Sequence, residues 1–155
     1  MELMEAKPGL YGLWLTIKAD ASLRIGRLGT FTFQAGHYLY IGSARGPGGI
    51  AARVSNHLRR VSEKGRHWHI DWLRQIAVPT GVLWSDATTS SECRWATHLE
   101  PLGTPEQAGF GASDCGCKGH LLRLRAKSNF ENVIRISRVA LLSEVYSCRF
   151  DQPAG

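Results

Sequence analysis

Residues 9–17, Gly-Leu-Tyr-Gly-Leu-Trp-Leu-Thr-Ile, form an apolar and aromatic run with no charged side chain. A run of that length and composition reads as a β-strand buried largely on both faces, with Leu13, Leu15 and Ile17 on one side. Residues 37–41 read as a second strong strand, with Tyr38 and Tyr40 on one face and Leu39 and Ile41 on the other. Between them, residues 23–34 alternate around a glycine, as a hairpin or a bulged strand does. Gly46-Pro47-Gly48-Gly49 then breaks the regular structure. The spacing of Ile50, Val54, Leu58 and Val61 predicts a helix from about Ile50 to Lys64.

A second helix is expected over residues 67–77, stopped by Val78-Pro79, then a short strand at 81–84. A third helix is expected from Ser90 to about Leu99, ended by Pro101 and Gly103. A glycine-rich loop follows to Gly119, and residues 120–125 read as a last strand. From Lys127 onward the chain carries β-branched apolar residues without clean periodicity. With 155 residues, 43% hydrophobic and 21% charged, the composition suits a single α+β domain. Residues 1–126 would form the domain proper, and 127–155 a C-terminal extension.

No stretch approaches the roughly 18–20 consecutive apolar residues of a membrane span. The N-terminus carries acids (Glu2, Glu5) where a secretory leader carries bases. The expected address is therefore the cytoplasm, where Cys93, Cys115, Cys117 and Cys148 are buried thiols or metal ligands before they are disulfides. The net charge is +6, and it is uneven. Residues 22–69 hold eight Lys/Arg against one acid, Glu63. Such an excess suits a nucleic-acid phosphate backbone, although a solvated basic face that binds nothing has the same composition.

On the helix from Ile50, Arg53, His57 and Arg60 fall together at about a quarter-turn from the apolar stripe, at the border of core and solvent. Arg59 points into water. Gly46, Gly48 and Gly49 ahead of the helix would offer backbone N–H groups and a positive dipole end to an anion. Arginine suits a phosphate clamp because its planar fork donates two parallel hydrogen bonds. An ordinary amphipathic helix with snorkelling arginines reads the same way.

Tyr40-Ile41-Gly42-Ser43-Ala44, followed by Arg53 and His57, resembles the second half of the GIY-YIG nuclease signature, and Gly9-Leu10-Tyr11 resembles the first. The resemblance spans roughly Gly9 to Leu124 and includes Gly36-His37-Tyr38-Leu39, His67-Trp68-His69-Ile70-Asp71, Glu92-Cys93 and Gly109-Phe110-Gly111-Ala112-Ser113-Asp114-Cys115 with Cys117 and His120-Leu121. It is similar to a little-characterised branch of that superfamily in bacteria and archaea, a domain of unknown function sometimes fused to DNA-repair glycosylases. Residues 24–33 become an inserted hairpin, and Tyr38 becomes a second candidate for the part given to Tyr11.

The resemblance implies a small antiparallel or mixed sheet flanked by helices. It implies a DNA endonuclease with a repair or processing role, DNA-repair proteins as partners, and one Mg²⁺ or Mn²⁺ ion on Glu92. Tyr11, Tyr40, Arg53, His57 and Glu92 would be catalytic. Arg53 would neutralise charge on the phosphorus centre, and Tyr11 would orient or deprotonate the attacking water. Gly42, Ser43, Gly49, Arg60, His67 and Trp68 would contact substrate.

Other readings of these residues stand beside it. Glu92 completes a Thr89-x-x-Glu92 capping box, and Tyr11 and Tyr40 could be core aromatics. Cys115, Cys117 and His120 have zinc-type donors, with Cys93, Cys148, Asp114 or His98 as a fourth. Two further functions therefore compete with hydrolysis: a non-catalytic nucleic-acid-binding module, and a zinc-stabilised interaction protein.

Overall fold

The computed structural model describes residues 6–59, 68–86, 90–106, 110 and 119–150. In chain order these carry β1 (Gly9–Ile17), β2 (Ala21–Ile25), β3 (Gly29–Phe33), β4 (Gly36–Ala44), α1 (Gly49–Leu58) and α2 (His69–Leu73). Then come β5 (Ala77–Ser85), α3 (Glu92–His98), β6 (Gly103–Pro105), β7 (Leu121–Leu124), α4 (Phe130–Leu141) and β8 (Tyr146–Arg149). Six strands form one sheet in the order β6-β7-β4-β1-β5-β8, every neighbouring pair antiparallel. β2 and β3 pair separately as a hairpin. The fold is a single α+β domain, an antiparallel sheet flanked by helices.

The apolar run that reads as a strand buried on both faces is central, between β4 and β5. On one side Tyr11, Leu13, Leu15 and Ile17 join Tyr38, Tyr40 and Val82 under Ile50 and Val54 of α1 and Ile70 and Leu73 of α2. On the other, Leu10, Trp14, Leu39, Ile41 and Leu83 pack under Trp95 of α3 and Phe130, Val133 and Ala140 of α4. Each fully buried aliphatic side chain contributes about 1.5–3 kcal/mol, so this strand carries the core twice over. The hairpin sits where residues 24–33 read as an insertion, and buries Ile25 and Phe33 in the first of these clusters.

Three elements differ from the sequence reading. The helix expected over residues 67–77 is, among the described residues, the five-residue α2, and β5 begins at Ala77 and runs straight through Pro79. Pro79 is tolerated because the β1–β5 register shifts there: Trp14 faces Gly81 while Leu15 faces Pro79, and a bulge needs one ladder donor fewer. The third helix is shorter than expected and starts at Glu92, capped by the Ser91 hydroxyl accepting from the Arg94 amide at 3.1 Å. Residues from Lys127 onward, set apart above as an extension, supply α4 and the edge strand β8. Among the described residues no helix is long and apolar enough to cross a membrane.

Candidate functional site

β1 and β4 run antiparallel with Tyr11 opposite Gly42 and Leu13 opposite Tyr40, which puts both tyrosines on the face that α1 covers. Gly42 is what lets the Tyr11 ring lie flat on β4. A Cβ there would come within 2.5 Å of Tyr11 Cζ and closer still to its hydroxyl. The hydroxyl is hydrogen-bonded to Nε2 of His57, two turns along α1, at 2.6 Å. Tyr40 stands edge-on to His57, with ring centroids 6.0 Å apart.

The sequence places His57 at the border of core and solvent. In the structure it is buried, 1% exposed, as is Tyr11. Burial first, and then the neighbouring Tyr40, push the Tyr11 hydroxyl pKa well above 10; Arg53 opposes this by its charge and a hydrogen bond, without prevailing. Tyr40 is raised likewise, by burial and then by Glu92 and Asp71. Both phenols are neutral at ordinary pH.

Arg53 is half-buried one turn before His57. Its guanidinium donates to the Ser43 carbonyl at 3.1 Å and stacks over the Trp68 ring at 4.7 Å. Trp68 is therefore a wall of this site, also 5.6 Å from the His57 ring. An open groove of about 390 Å³ borders Arg53 and runs past Gly46, Pro47, Ala52, Asn56 and Arg59.

Glu92 approaches the same stretch of β4 from α3. Its Oε2 lies 2.9 Å from Nδ1 of His120, the residue before β7. Burial acts to raise its pKa, but hydrogen bonds from His120 and Ser43, with the charges of His120 and Arg45, outweigh it and hold the carboxyl below 4.5. Ser43 thus accepts from Arg53 on its carbonyl and places its side chain beside Glu92. Since the helix begins at Glu92 with Ser91 as its cap, the capping-box alternative does not describe this carboxylate.

A depressed folded-state pKa means stability that is present above the unfolded value and is lost as the pH falls through the lower folded one. The stability difference between the wild type and Glu92→Gln is expected to shrink on acidification from about pH 6 to about pH 3. Denaturant titrations over that range check it. A difference independent of pH would mean that the folded state does not hold the carboxylate ionised.

Tyr11, Tyr40, Arg53 and His57 are thus brought together, and Glu92 reaches them across Ser43. Gly49 does not present an open anion site. Its amide donates to Gly46 O at 3.1 Å, and that of Ile50 donates to Lys7 O at 2.9 Å. Gly49 is left-handed (φ 58°), and a Cβ there would strike the Lys7 carbonyl, so its glycine serves the tight approach of residue 7. Tyr38 turns away from the site and donates its hydroxyl to Gln34 O at 2.6 Å. Arg60, His67, Cys115 and Cys117 lie outside the described residues.

Sequence reasoning missed Arg74. Its guanidinium donates to His57 O at 2.9 Å and to Ala77 O at 2.8 Å, tying the end of α1 to the start of β5. No local motif marks such a residue, because the carbonyl that gives it its role, His57 O, lies 17 positions earlier in the chain. His120 as the partner of Glu92 was also missed, since 28 positions separate the two.

An α+β domain with a polar cluster where two helices meet the end of a central strand is the class that the fold and site define. The family described as "Domain of unknown function DUF123" matches residues 10–141. The chain belongs to that family. This corrects the superfamily reading: the family shown is DUF123, membership of the GIY-YIG superfamily is not shown, and the match brings no nuclease, hydrolase or DNA-repair class with it. Within Tyr-Ile-Gly-Ser, the buried Tyr40 and Ile41 and the close approach of Tyr11 to Gly42 also serve the packing of β4. No curated protein and no solved structure matches the chain.

Proposed function

We propose that this site hydrolyses phosphodiesters of a nucleic acid, DNA first, with one divalent ion held by Glu92. The supporting observation is the gathering of a guanidinium, a hydroxyl–imidazole pair and a carboxylate near Ser43, from β1, α1 and α3. The basic groove alongside, with Arg53 and Arg59 on its wall, suits a phosphate backbone.

Glu92 fits a magnesium-type ion. It is ionised, its side chain is 25% exposed, and an ion that keeps most of its water asks for little more than one carboxylate and the substrate phosphate. When bound, such an ion supplies charge neutralisation at the phosphate and the leaving oxygen. Arg53, held by Ser43 and Trp68, is positioned to stabilise charge growing on the phosphoryl oxygens. A water oxygen bonds to phosphorus as the P–O bond to the leaving oxygen breaks. Burial, the largest influence on Tyr11, favours the neutral phenol over tyrosinate as the resting form. The hydroxyl instead takes the water proton while passing its own to His57 Nε2, and stays neutral throughout.

The near-complete burial of Tyr11 and His57 favours a second reading, in which that pair is a strut and the basic groove binds nucleic acid without cutting it. A nicking assay with Mg²⁺ or Mn²⁺ on plasmid, branched, single-stranded and RNA substrates separates the two. Hydrolysis predicts metal-dependent cleavage, reduced at least about 100-fold by Arg53→Ala or Glu92→Ala with circular dichroism unchanged. Salt-sensitive binding with no cleavage of any substrate would replace the first reading with the second.

A further inference from the structure

Both ring nitrogens of His120 have a close side-chain neighbour. Nδ1 lies 2.9 Å from Glu92 Oε2, and Nε2 lies 3.5 Å from Cys93 Sγ. The main chain at this residue is equally fixed: its amide donates to Phe110 O at 2.7 Å, and its carbonyl accepts from Ile41 N at 2.8 Å. Cys93 sits in the first turn of α3, which Ser91 caps and Trp95 anchors in the core. Neither donor is on a loose surface segment.

Zinc binds thiolate sulfur at about 2.3 Å and imidazole nitrogen at about 2.0–2.1 Å in tetrahedral geometry, so two such donors on one ion stand about 3.5 Å apart. That is the separation of Cys93 Sγ and His120 Nε2. Zinc-bound histidines also characteristically give their other ring nitrogen to a carboxylate, which fixes the tautomer and aims the lone pair at the metal. Glu92 occupies that position. Sulfur with nitrogen selects zinc-type ions over magnesium, which prefers oxygen.

We propose that Cys93 and His120 are two ligands of a tetrahedral zinc ion, with Glu92 as the carboxylate that orients His120. The site joins the start of α3 to the start of β7 and stiffens Glu92 from behind. It goes beyond the hydrolytic reading and stands without it, because the ion is structural and can be present whether or not a phosphodiester is cut. Among the other donors suggested by sequence, Cys148 packs in the cluster on the α1 side of the sheet. His98 lies at the far end of α3, its Nδ1 2.9 Å from the Arg94 carbonyl. Both serve as controls.

The test is elemental analysis of the purified full chain, with Co²⁺ replacement to report thiolate ligation by its charge-transfer band. The expected result is about one zinc per chain, lost in Cys93→Ser and His120→Gln and kept in Cys148→Ser and His98→Ala. Glu92→Gln should keep the ion with about 10–100-fold weaker affinity. If His120→Gln fails to fold, loss of the cobalt band in Cys93→Ser carries the test alone. Wild-type chain that takes up neither zinc nor cobalt overturns the proposal and leaves a thiol–imidazole hydrogen bond. Zinc retained undiminished by Cys93→Ser overturns it too. A zinc-free chain that still cuts DNA removes this inference alone, and a zinc-loaded chain that cuts nothing removes only the hydrolytic one.

Discussion

Alanine at position 42 is expected to cost the fold about 1–3 kcal/mol and to break the Tyr11–His57 hydrogen bond. The added methyl would occupy the place of the Tyr11 phenol, which lies against the bare Cα of Gly42. Tyr11 is 1% exposed and enclosed by Tyr40, His57 and the α1 layer, so the ring has nowhere to swing without opening the core. Either the ring tilts and releases His57 Nε2, or the β1–β4 ladder spreads. Thermal unfolding reads the first cost, and NMR of the His57 imidazole reads the second. Cleavage, if present, should fall with it. A Gly42→Ala protein as stable as the parent, with His57 resonances unmoved, would show that the ring has slack that the packing does not reveal.

Trp95→Ala is expected to destabilise by about 3–5 kcal/mol. Trp95 is wholly buried on α3, its ring packs over Gly12 of β1, and its indole N–H donates to Ser137 Oγ of α4 at 2.7 Å. Truncation empties a cavity and leaves a buried serine hydroxyl without its donor, and both costs act in the same direction. For a domain of this size that shifts the melting temperature by roughly 6–20 °C. Trp95→Phe, which keeps most of the volume and loses only the N–H, should cost much less. Because Glu92 lies one turn earlier on the same helix, the alanine variant should also lose the acid-dependent stability ascribed to that carboxylate. Equal melting points for the two variants would mean that the hydrogen bond and not the packing carries the anchor.

What the sequence makes legible follows from how local each cause is. β1 and β4 are readable because aromatic and β-branched residues crowd a short run, and α1 because Ile50 and Val54 recur at helical spacing behind a glycine turn. α4 is obscured for a physical reason. Its buried face includes Ser137, whereas Val139 is 68% exposed, so hydrophobicity does not track burial. The clue was there in Asn129, whose side chain caps the helix by accepting from the Asn132 amide at 2.8 Å. Pro79 misleads because a proline is read as a stop, yet a bulge opposite Trp14 and Leu15 has no need of its N–H.

At the site, Tyr11, Arg53 and His57 are joined by contacts that a helix face and a neighbouring strand make inevitable once paired. The burial of His57 was not foreseeable from α1 alone, since Tyr11 and Trp68 complete its enclosure from elsewhere in the chain. Glu92 and His120 are linked only by tertiary folding. Residue types suggested each of them separately, and nothing in the spacing suggested the pair.

Ser43 turns a sheet into a lever. Its carbonyl accepts from a cation of the layer on one side, and its side chain neighbours an anion of the layer on the other. The two helical layers, which share no chain neighbours, therefore meet at this residue as well as through their packing on the sheet. A small slide of α3 along the sheet is felt by Arg53 as a pull on the peptide it holds. A threonine in that position would keep a hydroxyl beside Glu92, and an alanine would remove it while leaving the carbonyl that Arg53 holds.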